Sequence, residues 1–126
     1  GVTVAADEAV RTVEDALALL ALGVRVLILK PSAQGGLEAA HDIAQAAAAR
    51  GVTIVLTSSL DRGVATAGVL HLAAALPAIA PAGLATAGLF AEGPALQGLL
   101  PAAGHLAVPT GPGLGLPPAD AWLLEW

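Results

Sequence analysis

The chain has 126 residues, enough for one domain, and its composition excludes several functions. The net charge of −5 argues against a nucleic-acid partner, because phosphate binding needs clustered Lys and Arg. The absence of cysteine excludes disulfides and thiolate metal sites and is typical of a reducing cytoplasm, where we expect the protein to work.

One uncharged stretch is long enough to cross a bilayer. From residue 63 to residue 91 the sequence contains no Asp, Glu, Lys or Arg. Pro77 and Pro81 interrupt this stretch, and alanine and glycine dominate it. We therefore expect two short buried elements separated by a proline loop, and no membrane partner.

Strand signals recur through the first half of the sequence. Three segments each open with a glycine and continue with β-branched residues: Gly1-Val2-Thr3-Val4, Gly23-Val24-Arg25-Val26 and Gly51-Val52-Thr53-Ile54. Their apolar continuations, 26–29 and 54–56, are typical of parallel strands that are covered on both faces. A weaker fourth strand is predicted at Gly83-Leu84-Ala85.

A helix is predicted after each of the first three strands. Apolar residues at helical spacing predict helices at about 10–22, 37–50 and 64–76, which end at Gly23, Gly51 and Pro77. A short helix is predicted at about 94–100. The glycine- and proline-rich tail that follows is not expected to form regular structure. Its two tryptophans, Trp122 and Trp126, indicate that it docks against another part of the protein.

Four strand–helix units amount to half of an eight-stranded barrel. A half-barrel cannot close, and its outer strands would leave backbone groups unpaired. The sequence also contains no methionine, so we expect a processed product or a piece of a longer protein. We therefore predict an α/β fold in which residues 1–107 form the second half of a (β/α)8 TIM-type barrel and residues 108–126 form the docking tail. A small doubly wound sheet is the structural alternative.

Polar residues follow three successive predicted strands. Lys30 is the only lysine and ends the most apolar strand, Asp7 and Glu8 follow the strand before it, and Thr57-Ser58-Ser59 follow the strand after it. Parallel α/β proteins place their chemistry at the carboxyl ends of strands, so these residues predict a shared site. Glu8 receives no role, because in a strand its side chain would point away from that of Asp7.

Each candidate also has a purely structural interpretation. Asp7 could be a helix N-cap, and Lys30 could be a surface lysine that extends its amine into solvent. Ser58 and Ser59 could form a hydroxyl-stabilised turn or cap the next helix. Thr86 could line the same pocket or serve only in a turn.

The ordered motifs of the chain resemble the o-succinylbenzoate synthases, which belong to the muconate-cycloisomerase branch of the enolase superfamily. The resemblance extends over nearly the whole chain, to about Pro117. The matching motifs are, in order, Ala6-Asp7-Glu8, Leu29-Lys30-Pro31, Gly35-Gly36, Thr57-Ser58-Ser59, Gly83-Leu84-Ala85-Thr86 and Gly111-Pro112-Gly113-Leu114-Gly115.

The resemblance implies a Mg²⁺-dependent lyase of menaquinone biosynthesis, which dehydrates a small carboxylate substrate to o-succinylbenzoate. A base removes the proton α to the carboxylate, and Mg²⁺ with a nearby ammonium stabilises the resulting enediolate. The family implies that Asp7 is a metal ligand and that Lys30 is the catalytic ammonium. It implies that Ser58, Ser59 and Thr86 contact the substrate.

The resemblance also implies that the site is incomplete in this chain. The family's base and two of its three metal ligands come from strands of the first barrel half, so the N-terminal half of the same enzyme is an expected partner. Two alternatives remain: an N-acylamino-acid racemase or cycloisomerase of the same superfamily, and a noncatalytic half-barrel module.

Overall fold

The computed structural model of the chain describes residues 1–89 and 98–117. Within these ranges, three strands alternate with three α-helices. The strands are β1 (Ala5–Ala6), β2 (Val26–Leu29) and β3 (Thr53–Leu56), and the helices are α1 (Val13–Ala21), α2 (Leu37–Ala48) and α3 (Gly63–Ala75). Short 3₁₀ helices occupy Pro31–Ala33 and Ala85–Leu89.

The strands form one parallel sheet in the order β1-β2-β3. The central strand β2 places Leu27 beside Ala6 of β1 and pairs along its whole length with β3, where Leu29 lies beside Leu56. Each connection between neighbouring strands runs through a helix, as parallel pairing requires. The predicted α/β class is confirmed.

The two faces of this sheet differ in burial. Alternate side chains of β2 and β3 are buried beneath the helices, and burying each contributes about 1.5–3 kcal/mol; they are Leu27, Leu29, Ile54 and Leu56. The intervening residues Val26, Ile28 and Val55 are only half-buried. Because successive side chains of a strand point to opposite faces, the described residues cover one face and leave the other partly open. The expectation of two covered faces is not met within these ranges.

The first strand is shorter than predicted. Only Ala5 and Ala6 pair with β2, and residues 1–4 are exposed. β1 lies at an edge of the described sheet, so it can gain hydrogen bonds from one neighbour only. Strands β2 and β3 also begin later than their glycine-led segments predict, at Val26 and Thr53.

The predicted fourth strand is reduced to a single bridge. Gly83 lies parallel to Thr57, and its N–H donates to the carbonyl of Leu56 at 2.8 Å. The position of this pairing is as predicted, but a 3₁₀ helix begins at Ala85 and ends the extended segment. Gly83 allows the close approach, because a Cβ there would lie 3.0 Å from Thr57 Cγ2.

The three predicted helices are present with shifted ends. α1 begins three residues later than predicted, at Val13, because Thr12 caps it: the Thr12 hydroxyl accepts the Asp15 N–H and the Asp15 carboxylate accepts the Thr12 N–H, both at 3.1 Å. Gly23 ends it with a φ of +86°. α2 and α3 end within two residues of their predicted ends. No helix in the described ranges is long and apolar enough to cross a membrane.

The described part of the tail packs against this chain. Leu114 and Leu116 contact the hydrophobic core, and the His71 ring in α3 lies 3.3 Å from the carbonyl of Leu114. Both tryptophans, and most of the helix predicted at about 94–100, lie outside the described residues.

Candidate active site

The amine of Lys30 meets the carboxylates that follow β1. Its Nζ lies 2.5 Å from Asp7 Oδ1 and 3.5 Å from Glu8 Oε1. The strand register causes this meeting. Ala6 pairs with Leu27, so the alternation of side chains places Asp7 and Lys30 on the same face of the sheet.

The charges around Lys30 favour its protonated form. Its hydrogen bond to Asp7 raises the pKa of the amine above its usual value; partial desolvation opposes this effect, and the charges of Asp7 and Glu8 reinforce it. The Lys30 side chain is 24% exposed and that of Asp7 is 36% exposed. Asp7 Oδ1 itself is buried, and its contact with the ammonium is its only polar contact among the described residues. The group presented here is therefore an ammonium paired with a carboxylate.

The Glu8 carboxylate lies on the same side as Lys30, although strand alternation predicts that it points away from Asp7. β1 ends at Ala6, and the next residues form a turn in which the Val10 N–H donates to the Asp7 carbonyl at 2.9 Å. Alternation therefore no longer applies to Glu8, and its carboxylate approaches Lys30 although its side chain is 81% exposed. The sequence-based expectation that Glu8 points away from Asp7 is wrong.

The pair lies in an open cavity of about 280 Å³ at the carboxyl edge of the sheet. The cavity has two acidic and two basic side chains together with an apolar wall. Its lining residues are Asp7, Glu8, Val10, Arg11, Ile28, Lys30, Ala33 and Gln34.

Gln34 belongs to this site and was missed by the sequence analysis. Its side chain is almost fully buried, accepts the Lys30 N–H at 3.1 Å and donates to the Val10 carbonyl at 2.9 Å. Gly35 and Gly36 follow it with φ values of +90° and +114°, so the loop turns sharply directly after it. A polar residue before two such glycines was the available signal.

The predicted hydroxyl residues form a separate group. Ser58 and Thr86 share a hydrogen bond of 2.6 Å, and the Ser58 N–H donates to the Gly83 carbonyl at 3.2 Å. Ser59 is exposed and donates its N–H to the Asp61 carboxylate at 3.0 Å. None of the three predicted hydroxyl residues lines the cavity that contains Lys30.

Of the three hydroxyl residues that follow β3, Thr57 is the one in register with Lys30. Because Leu29 pairs with Leu56, the next residues, Lys30 and Thr57, project from the same face. The Thr57 hydroxyl oxygen is buried and has no hydrogen-bond partner among the described residues.

The capping alternatives and the free surface lysine do not hold, whereas a turn role for Ser58, Ser59 and Thr86 stays open. The N-cap of α1 is Thr12, so Asp7 is not a cap. The N-cap of α3 is Arg62, which makes no side-chain capping bond, so neither Ser58 nor Ser59 caps that helix. Lys30 pairs with Asp7 and does not extend freely into solvent.

The donors present suit a hard divalent cation but do not complete a site. Asp7 and Glu8 offer the carboxylate oxygens that Mg²⁺ prefers. Within residues 1–89 and 98–117, no group of three or more His, Cys, Asp or Glu side chains could hold a metal ion. Asp7 and Glu8 can therefore bind such an ion only together with ligands from outside the described residues.

Known proteins resemble this chain in sequence and in fold. The chain is 44% identical over 77 residues to o-succinylbenzoate synthase of Mycobacterium ulcerans, a match that spans 60% of this chain and 23% of the relative. Muconate lactonizing enzyme from Pseudomonas putida superposes with a TM-score of 0.57 at 32% identity, covering 60% of this chain and 21% of that one.

A third relative is a solved dipeptide epimerase from Enterococcus faecalis, complexed with Mg and the dipeptide L-Leu-L-Tyr. It has a TM-score of 0.65 and 30% identity over 68% of this chain and 25% of its own. In all three comparisons the chain spans about a quarter or less of the relative's length. Residues 1–122 match the family described as enolase C-terminal domain-like, and the chain belongs to that family.

Proposed function

We propose that the complete protein carrying this chain is a Mg²⁺-dependent o-succinylbenzoate synthase of menaquinone biosynthesis. The observation that carries the proposal is the Lys30–Asp7 pair, joined at 2.5 Å in a cavity at the carboxyl edge of a parallel sheet. The identity to o-succinylbenzoate synthase over 60% of the chain supports the choice of reaction. The substrate is a cyclohexadiene carboxylate with a succinyl arm, which loses the proton α to its carboxylate and then a hydroxyl group.

Lys30 stabilises the negative charge that develops on the substrate carboxylate as the α-proton leaves. The amine is held as an ammonium by Asp7 and Glu8, and it is only partly exposed to water. A fixed charge in a partly desolvated cavity acts more strongly on developing charge than it would in water. Lys30 is therefore the catalytic residue of this half of the protein.

Asp7 supplies one carboxylate ligand for Mg²⁺. A bound Mg²⁺ ion would polarise the substrate carboxylate as a Lewis acid. The Mg in the related dipeptide epimerase supports this cofactor. The base and the remaining ligands come from the N-terminal half of the same enzyme, which is the partner that the open sheet face would meet.

Ser58 and Thr86 form the substrate-binding pair. They share one hydrogen bond of 2.6 Å, and the Ser58 hydroxyl also donates to the Gly83 carbonyl at 3.5 Å, so a carboxylate oxygen of the succinyl arm would replace this longer bond. Ser59 contributes from the exposed side of the same loop. These roles require the substrate to extend from the cavity towards the edge of the sheet beyond β3.

The domain division follows from the same proposal. Residues 1–107 form the C-terminal barrel half, and residues 108–126 form a tail that docks on the rest of the enzyme. Leu114 and Leu116 contact the core of this chain itself, so docking on the rest of the enzyme stays a proposal for the tail. The substrate is a small metabolite, and a cytoplasmic location suits a chain without cysteine.

Racemisation of N-acylamino acids, or cycloisomerisation, is the second candidate, because muconate lactonizing and epimerase structures resemble this chain. A racemase would use the Lys30 amine to carry protons, which requires a pKa near the working pH. Asp7 and Glu8 raise the pKa of Lys30 here, but a Mg²⁺ ion bound to Asp7 would remove much of that effect, so the choice between the two candidates rests on the reaction assay.

The test is an assay of the complete protein with Mg²⁺ and the cyclohexadiene substrate. Dehydration is expected, and Lys30→Ala should lower kcat by about 100- to 1,000-fold. Arg50→Ala removes an exposed cation at the end of α2 and should leave the rate unchanged. Racemisation without dehydration would select the second candidate. No turnover of either substrate class would identify a noncatalytic half-barrel.

A further inference from the structure

Two loops bring the Lys30–Asp7 pair together, and a single buried side chain connects them. The first loop follows β1 and carries Asp7, and the second follows β2 and begins at Lys30. Gln34 in the second loop donates its Nε2 to the Val10 carbonyl in the first, at 2.9 Å. Its Oε1 accepts the backbone N–H of Lys30, at 3.1 Å.

These bonds form a continuous path between the backbones of the paired residues. The Asp7 carbonyl accepts the Val10 N–H at 2.9 Å, the Val10 carbonyl accepts the Gln34 amide, and the Gln34 oxygen accepts the Lys30 N–H. The path is independent of the side-chain contact between Lys30 and Asp7. The path therefore links the two backbones without passing through the paired side chains.

The fold of the loop places the Gln34 amide within hydrogen-bond distance of both Val10 and Lys30. The Ala33 N–H donates to the Lys30 carbonyl at 2.8 Å and the Gly36 N–H to the Pro31 carbonyl at 2.8 Å, so the loop curls back over its own start. Gln34 has only 5% of its surface exposed, and a buried amide is costly unless its donor and its acceptor are both used. An amide side chain supplies both groups, whereas Glu lacks the donor and Leu lacks both.

We propose that Gln34 is a positioning residue that ties the backbone of Lys30 to the Asp7 loop and so fixes the ammonium against the carboxylate. The effect of Gln34 on catalysis rests on the proposed function, whereas its effect on the geometry of the Lys30–Asp7 pair does not. A displacement of about 1 Å in a reacting group can lower a rate about 100-fold, so a residue that never touches the substrate can control the rate.

The first experiment measures the pair without any assay of turnover. The complete protein is treated with limiting acetic anhydride, and acetylation of Lys30 is quantified by peptide mass spectrometry. Asp7→Asn removes the nearer of the two carboxylates and sets the rate for a Lys30 that keeps only its longer contact with Glu8. Gln34→Leu should raise acetylation several-fold towards that rate. Gln45→Leu makes the same change at an exposed glutamine on α2 and should match the wild type.

The second experiment separates positioning from general stability. Gln34→Leu should lower kcat about tenfold, while KM changes less than twofold. Ile43→Val, a core truncation in α2, should reduce thermal stability and leave kcat unchanged. Gln34→Glu keeps the acceptor for the Lys30 N–H but loses the donor to Val10. It should therefore behave as Gln34→Leu if the connection between the loops is what matters.

Wild-type acetylation in Gln34→Leu would overturn the inference, as would wild-type kcat in Gln34→Glu. If Gln34→Leu does not fold, Gln34→Met offers a side chain of similar length for the same two measurements. A wild-type protein without dehydratase or racemase activity would defeat the proposed function alone, because the acetylation rates would still decide the role of Gln34.

Discussion

Lys30 and Asp7 meet through strand register, and this explains why the sequence predicts their meeting. Asp7 directly follows β1 and Lys30 directly follows β2, so parallel pairing delivers both to one edge. The placement of Glu8 and Gln34 could not be predicted in the same way. Both lie in loops, where the turn between Asp7 and Val10 and the two glycines after Gln34 decide the direction of a side chain. Periodicity contains no information about such turns.

Asp7→Asn should lower the pKa of Lys30 towards its ordinary value, because Asp7 is the main cause of the rise. A raised folded-state pKa means that the pair stabilises the fold below the unfolded pKa of lysine, and that this contribution disappears as pH rises through the folded pKa. Asp7→Asn should therefore reduce the free energy of unfolding at neutral pH, and the difference from wild type should vanish in alkaline solution.

The measurement uses the single lysine of the chain. A ¹³C-lysine label gives one Cε resonance to titrate by NMR, and urea unfolding at several pH values gives the free energies. Asp42→Asn removes an exposed carboxylate from α2 and should leave the Lys30 titration unchanged. An identical Lys30 titration in Asp7→Asn and wild type would contradict the pairing.

At the scale of elements, the sequence predicts which segments become strands and helices more reliably than where they end. The apolar runs of β2 and β3 and the periodic faces of α1 and α2 depend on local residue types. Where each strand or helix ends depends instead on individual hydrogen bonds in turns and bridges. Val10 enters a turn with Asp7 and not the helix, and Ala85 enters a 3₁₀ helix after a single bridge at Gly83.

The capping box of α1 should be measurable. Thr12→Ala leaves the Asp15 N–H without its acceptor and should lower the free energy of unfolding by about 1 kcal/mol. Thr12→Ser keeps the hydroxyl and should lose much less. Urea unfolding of both variants tests this, and equal losses would show that the cap does not stabilise α1.

A larger residue at Gly83 should destabilise the fold while Thr57 is present. Gly83→Ala places a Cβ 3.0 Å from Thr57 Cγ2 and should cost about 1–3 kcal/mol of stability through overpacking. Thr57→Ser removes that methyl group, so Gly83→Ala should cost less in a Thr57→Ser background. A double-mutant cycle measures the coupling, and strictly additive effects would contradict the contact.

At the scale of the whole molecule, the chain is the second half of a (β/α)8 barrel, and the unequal faces of its sheet reflect this. The sequence predicts the half-barrel from the number of strand–helix units. It could not predict that one face stays partly open, because the runs 26–29 and 54–56 are apolar at every position. In the proposed complete barrel, Val26, Ile28 and Val55 are the side chains that the N-terminal half would cover.

Val55→Thr should therefore cost more in the complete protein than in this chain alone. In the isolated chain the new hydroxyl can reach water, and the change in unfolding free energy should stay within about 0.5 kcal/mol. Inside a closed barrel the same hydroxyl should cost about 1–3 kcal/mol. Leu56→Ala, beneath the helices, should cost the same in both proteins. Equal costs for Val55→Thr in both would mean that this face is never covered.

The short length of β1 affects how readily the exposed edge of the sheet can start aggregation. An exposed strand margin is a template on which other polypeptides can add strands and begin to aggregate. With two paired residues, β1 presents a template too short to hold an incoming strand firmly. On that margin the chain therefore offers little template for fibre-like growth.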